Sequence, residues 1–164
     1  MSEEKELFCD GVRQCQGAMY ALVLGMVKNR EDAADVVQEA ILRAYSRWSS
    51  LRDRGKFRPW LLSIAHNAAV DHLRACRGMV SLEQAAEAAV PEPPLDLAAR
   101  LSVGEAVARL KLPYRTVIHL FYYEDCSIRE IADITHTSPV TVRQQLSRGR
   151  KLLAQLLRKE DFAP

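Results

Sequence analysis

Nowhere in these 164 residues is there an apolar run of about eighteen, so no transmembrane helix and no membrane insertion are expected. The opening "MSEEKELF" is acidic and lacks the basic-then-apolar layout of a secretory leader, and the expected location is the cytoplasm. Cys9, Cys15, Cys76 and Cys126 make no CxxC and no zinc-type Cys/His spacing, so no metal site is expected. Cys9 and Cys15 lie roughly 9 Å apart along a helix and on different faces, so they would not bridge within it. The four are read as reduced thiols. A Gly-rich phosphate loop and a nucleophile–base set are both missing, so neither an enzyme nor a cofactor is expected. Strand ladders and internal repeats are absent as well.

Net charge is scarce too: 23 Lys and Arg against 21 Asp and Glu leave +2. That total hides a local pattern. Thr137 to Lys159 holds six Lys or Arg and no acid. Arg54 to Arg77 holds five basic residues and one acid, Asp71. Between them, Met79 to Leu101 carries four acids and only Arg100. Two basic patches flank an acidic connector.

What is present is helical periodicity, with 48% apolar residues. The spacing predicts a first helix over Glu4–Lys28, apolar at Leu7, Val12, Ala18, Leu22 and Met26 and weakened by Gly11, Gly17 and Gly25. Asn29 is the expected N-cap of a second, "REDAADVVQEAILRAYSRW", whose stripe is Val36, Val37, Ala40, Ile41, Ala44 and Trp48. Asp32, Asp35 and Glu39 fall on another side of it. Pro59 suits the first turn of a third helix ending near Gly78. "VSLEQAAEAAVPEPPLD" reads as an extended linker. Four more helices are expected: Leu97–Leu110, Pro113–Tyr123, Ser127–Ile134 and Pro139–Leu157. The fold class is all-α, with helical domains at 1–78 and 97–164 on a proline-containing tether at 79–96.

"SIREIADITHTSPVTVRQQLSRGRKLL" has a helix-turn-helix layout. Ser127 and Glu130 form a capping box, and Ser138 caps a helix with Pro139 at its first position. With Ile128, Ile131, Val142 and Leu146 buried, Thr141, Gln144, Gln145 and Arg148 are expected to face outward. Arg143, Ser147, Arg150 and Lys151 join them as the DNA-binding set. Arg and Gln make bidentate contacts to guanine and adenine edges, and the remaining cations supply salt-sensitive phosphate affinity.

"DAADVVQEAILRAYSRW", "FRPWLLSIAHNAAVDHLRACR" and "LKLPYRTVIHLFYYEDCSIREIADI", in that order, resemble the extracytoplasmic-function sigma factors of bacterial RNA polymerase. The resemblance covers nearly the whole chain. It implies that Asp35, Val36, Gln38, Glu39 and Arg43 dock on the clamp helices of the polymerase largest subunit, although Val36 and Val37 also fit a core stripe. It implies that Leu51 to Arg77 reads and melts the minus-10 element through Leu51, Arg52, Lys56, Arg58, Asn67, Asp71, Arg74 and Arg77, a swung-out base being captured in a pocket. Phe57 and Trp60 fit the core as well, while His66 and His72 read as helix-surface residues. The C-terminal half would read the minus-35 element. By the same resemblance the linker threads a path inside polymerase or is a plain tether, and an anti-sigma protein clamps the two domains. Departures from the family pattern are Ile41 for Phe, His136 for Gly in the turn and Gln145 for a basic residue.

The alternative is a stand-alone helix-turn-helix regulator. A receiver domain would bring alternating strands and an acidic pocket, which the first half does not offer.

Overall fold

The computed structural model describes residues 2–77 and 102–161, and the side chains of these except at 77 and 159–161. The expected linker at 79–96, the helix start at Leu97 and the Gly78 stop lie outside the described residues. Among the described residues there are seven α-helices and no strand: α1 Glu3–Val27, α2 Arg30–Ser46, α3 Phe57–Arg77, α4 Val103–Arg109, α5 Tyr114–Tyr122, α6 Ile128–Thr135 and α7 Pro139–Asp161. Two 3-10 turns, Trp48–Ser50 and Arg54–Lys56, join α2 to α3.

The helix starts follow from side chains that satisfy free backbone N–H groups. Asn29 Oδ1 accepts from Asp32 N at 3.0 Å, and Ser138 Oγ from Thr141 N at 3.1 Å. Ser127 and Glu130 form the full capping box, and Ser102 with Glu105 forms a second. α3 starts two residues before Pro59, and α7 runs past Leu157 to Asp161.

α1, α2 and α3 pack together as one unit, and α4 to α7 as another. In α1 the buried stripe is Phe8, Val12, Cys15, Met19, Leu22, Val23 and Met26, while Leu7 is exposed. Val12, Leu22 and Met26 of the expected stripe are buried and Ala18 is half-buried, so only Leu7 departs from it. Phe8 wins because it meets Tyr45, Trp48 and Phe57 edge-on at ring-centroid distances of 5.3, 5.3 and 6.0 Å. In the second unit, Val117, Ile118 and Leu120 of α5 bury with Ile131, Ile134, Val142 and Leu146.

The two units are joined directly. α6 packs on α3 and α5 on α1, in one continuous apolar core. Arg58 donates to Glu124 at 2.9 Å, Ser63 Oγ and His136 Nε2 lie 3.2 Å apart, and Lys28 Nζ donates to the Ala108 carbonyl at 2.8 Å.

Candidate nucleic-acid and polymerase-docking surfaces

α6 and α7 are linked by a turn in which His136 takes a left-handed conformation, φ 57°. This accounts for the glycine preference at that position, since a side chain there is strained. Val142 and Leu146 bury against Ile131 and Ala132. Arg143, Gln144, Ser147, Arg148, Arg150 and Lys151 are exposed, and Thr141 is half-buried with its hydroxyl 2.9 Å from that of Ser138.

Gln145 departs from expectation. It lies three residues after Val142, on the burial side of the helix, and its Oε1 is enclosed without a partner beside a cavity of about 190 Å³ between the units. Arg150 is only partly available, since its Nε donates to the Tyr122 hydroxyl at 2.6 Å and its guanidinium lies over the Phe121 and Tyr122 rings. Val140, exposed at the start of α7, is absent from the expected set. The cue is its place outside the Val142–Leu146 register.

The segment before α3 is built on aromatics. Phe8, Trp48 and Phe57 meet edge to face, Trp60 lies half-buried and tilted against Trp48 and Phe57, and Arg54 stacks 4.2 Å from the Trp48 ring centroid. Asp53 holds the second 3-10 turn by accepting from Gly55 N at 3.0 Å. Leu51 and Asn67 are half-buried, and Arg52, Lys56 and Arg74 are exposed. The Arg77 side chain lies outside the described residues. Arg58, expected at phosphates, is engaged with Glu124 and lies 3.7 Å from Cys126 Sγ.

On α2, Asp35, Gln38 and Glu39 are exposed. Val36 is 2% exposed and belongs to the core, because it shares a helix face with Ala33, Val37 and Ala40. Leu42, 71% exposed, is absent from the expected docking set, and Tyr45, expected close by it, is 49% exposed. Large apolar side chains left in water within an acidic face are the available signal. Arg43 bridges Glu39 at 2.6 Å and Asp71 at 2.9 Å, and both carboxylates raise its pKa. One guanidinium thus ties the expected docking face to α3.

His66 and His72, expected on helix surfaces, are both half-buried, as is His119. Burial between α3 and the second unit, and then the nearby His136, lower His66 to about 4 against a weaker upward pull from Asn67, and its Nδ1 has no partner. His119 is also lowered by burial, opposed by Glu124 at 3.3 Å, a separation without hydrogen-bond alignment. His72, half-buried, lies 3.6 Å from Asp32 and 3.4 Å from Cys76 Sγ. All four cysteines are free thiols, and burial raises Cys15 and Cys126. Among the described residues no His/Cys/Asp/Glu group could hold a metal, and no helix is long and apolar enough to cross a membrane.

Two family descriptions match the chain: sigma-70 region 2 over residues 12–78 and sigma-70 region 4 over residues 100–153. The chain is 32% identical to RNA polymerase sigma factor SigV of Bacillus subtilis, over 88% of this chain and 87% of that protein. It is also 32% identical to the ECF RNA polymerase sigma factor SigW of the same organism, over 94% of this chain and 91% of that protein. The sigma factor RpoE from Bartonella quintana, solved in complex with the anti-sigma factor NepR, shares the fold with a TM-score of 0.72, covering 92% of this chain and 96% of that one at 21% identity. With both sigma-70 regions present in order, the chain belongs to the extracytoplasmic-function sigma factors of bacterial RNA polymerase.

Proposed function

We propose that the chain acts in the cytoplasm as a non-enzymatic promoter-specificity subunit whose labour is divided along the sequence. Residues 1–78 dock on core polymerase and open the minus-10 element, 79–96 connect, and 97–164 read the minus-35 element. The docking face is Asp35, Gln38, Glu39 and Arg43 on α2, with Leu42 as an apolar anchor and Val36 supporting from within. Leu51, Arg52, Lys56, Asn67 and Arg74 contact minus-10 DNA. Asp71 acts through Arg43. Gln144 and Arg148 read bases, while Arg143, Ser147 and Lys151 hold phosphates.

One observation carries the reading. α7 exposes Gln144, Arg148 and Lys151 while burying Val142 and Leu146, in a chain that also exposes an acidic face on α2.

The packed arrangement is the latent form. α6 covers α3, and Arg58 is held by Glu124. Binding to promoter elements separated along DNA requires the units to part, and an anti-sigma partner, as in the Bartonella quintana complex, would hold them together. Arg58 then turns to phosphate only after release.

Co-elution with core RNA polymerase tests the assignment. The unmodified chain should associate, and Asp35→Lys with Glu39→Lys should abolish association while the helical circular dichroism stays unchanged. Undiminished association of the reversed variant would remove α2 as the docking face. DNA binding without any polymerase association would favour the stand-alone regulator.

A further inference from the structure

Between α1, α4 and α5 the two units enclose a cleft of about 580 Å³, a volume that suits a small organic ligand. Its walls are apolar, with Leu22, Leu24 and Gly25 on α1 and Val107 and Ala108 on α4. Three cations, Lys28, Arg30 and Arg115, interrupt them, and the first and last reach across to backbone carbonyls. Arg115 is 7% exposed and has no carboxylate partner among the described residues. Its Nη1 donates to the Leu110 carbonyl at 2.8 Å, and its Nε is enclosed without any partner. Lys28, in left-handed conformation at the end of α1, reaches across to the Ala108 carbonyl.

Burial lowers Arg115 to about 10, and Lys28 is lowered to about 8 by burial first and by Arg115 second. Among the described residues no Asp or Glu lines the cleft. A withdrawn cation is ordinarily matched by an anion, and Arg115, buried without one beside the exposed Lys28, leaves an unmatched charge at the edge of an apolar space.

We infer that this cleft binds a medium-chain carboxylic acid, its carboxylate on Arg115 and Lys28 and its chain along Leu22, Leu24 and Val107. A carboxylate is the planar acceptor that a guanidinium fork fits, and the enclosed volume suits a single chain better than a helix. The walls come from both units, so the occupant binds the packed arrangement alone and shifts the population toward it. That consequence rests on the latent form proposed above, and a bound acid would then oppose engagement of polymerase.

The test is calorimetric titration of the full chain with dodecanoate below its micellar concentration, with 1-dodecanol and dodecyltrimethylammonium as controls of equal length. Dodecanoate should bind one saturable site, the alcohol roughly tenfold more weakly, and the ammonium not at all. A Cβ at Gly25 meets nothing within 4 Å, so Gly25→Leu fills the cleft without disturbing the helix and should abolish binding. Lys28→Gln should weaken dodecanoate roughly tenfold and leave the alcohol unchanged. Equal affinity for acid and alcohol, undiminished binding to a folded Gly25→Leu chain, or no binding of dodecanoate overturns the site. Capture of an acidic peptide in place of dodecanoate would make it a protein-docking cleft and overturn the proposal too. Amide exchange across α4 and α6 should slow with dodecanoate, and binding without slowing would overturn the link to packing. No readout uses polymerase, so failure here is separable from failure of the promoter reading.

Discussion

Gly11 sits where α1 meets α3, and a Cβ built there would lie 2.6 Å from Phe57 Cε1. The same atom at Gly17 would meet nothing within 4 Å. In an isolated helix both changes to Ala would be favourable by about 0.5–1 kcal/mol. Here they should part. Gly17→Ala should raise stability by about that amount, whereas Gly11→Ala should lower it by about 1–3 kcal/mol because the aromatic cluster has to move. Urea melts of the two variants check this, and a shift of the same sign for both would refute the close approach. Gln144 and Arg148 form a second residue-scale case. Replacing both with Ala should weaken recognition of the cognate promoter by about 1–3 kcal/mol for each base edge no longer read, measured as reduced transcription. Co-elution with core polymerase should be unchanged, and a parallel fall in both would mean that α7 had unfolded.

At the scale of elements, much of the chain is legible in its sequence. Asn29, Ser127 and Ser138 are caps whose chemistry is local, so each helix start can be read without knowing what the helix packs on. The α2 stripe and the buried Val142 and Leu146 follow from period alone. What escapes depends on neighbours distant in sequence. At the start of α1, Phe8 rather than Leu7 faces the core because of rings at 45, 48 and 57. Gln145 resembles a base reader because it is polar, yet its position after Val142 points it at the other unit.

His66 likewise reads as a surface group from its sequence neighbours, and its burial against α6 and α5 has a pH signature. Its pKa falls from the ordinary 6.5 to about 4 in the packed form, so the separated form binds more protons between those values. Packing is therefore fully favoured above about pH 6.5 and loses up to about 3 kcal/mol as pH falls toward 4. Scattering measured from pH 7 to pH 5 should show the chain expanding, and His66→Asn should flatten that response. A radius independent of pH would mean that His66 is shielded by its own unit alone.

On the scale of the whole molecule, the joint between the units sets what the chain can do. Glu124 is the more withdrawn member of its pair with Arg58, with 14% of its side chain exposed against 39%. Replacing it with Gln should remove about 1 kcal/mol from the packed arrangement, a modest figure because Arg58 still reaches water. That corresponds to roughly a fivefold shift toward separated units. Faster amide exchange along α3 and α6, with α1 and α2 unaffected, is the expected result. Uniform acceleration across every helix would instead mean that Glu124 stabilises its own unit.

The same ion pair bears on how DNA affinity responds to salt. A cation that meets a phosphate from water displaces condensed counterions, and each such encounter steepens the fall of affinity with ionic strength. Arg58 does not start from water. In the promoter complex proposed above it would exchange a carboxylate for a phosphate, and the Glu124 left behind would gather a cation of its own. The charge would then trade one anion for another, and on that proposal Arg58 should add less to the salt slope than Arg52 or Lys56, which are exposed from the outset.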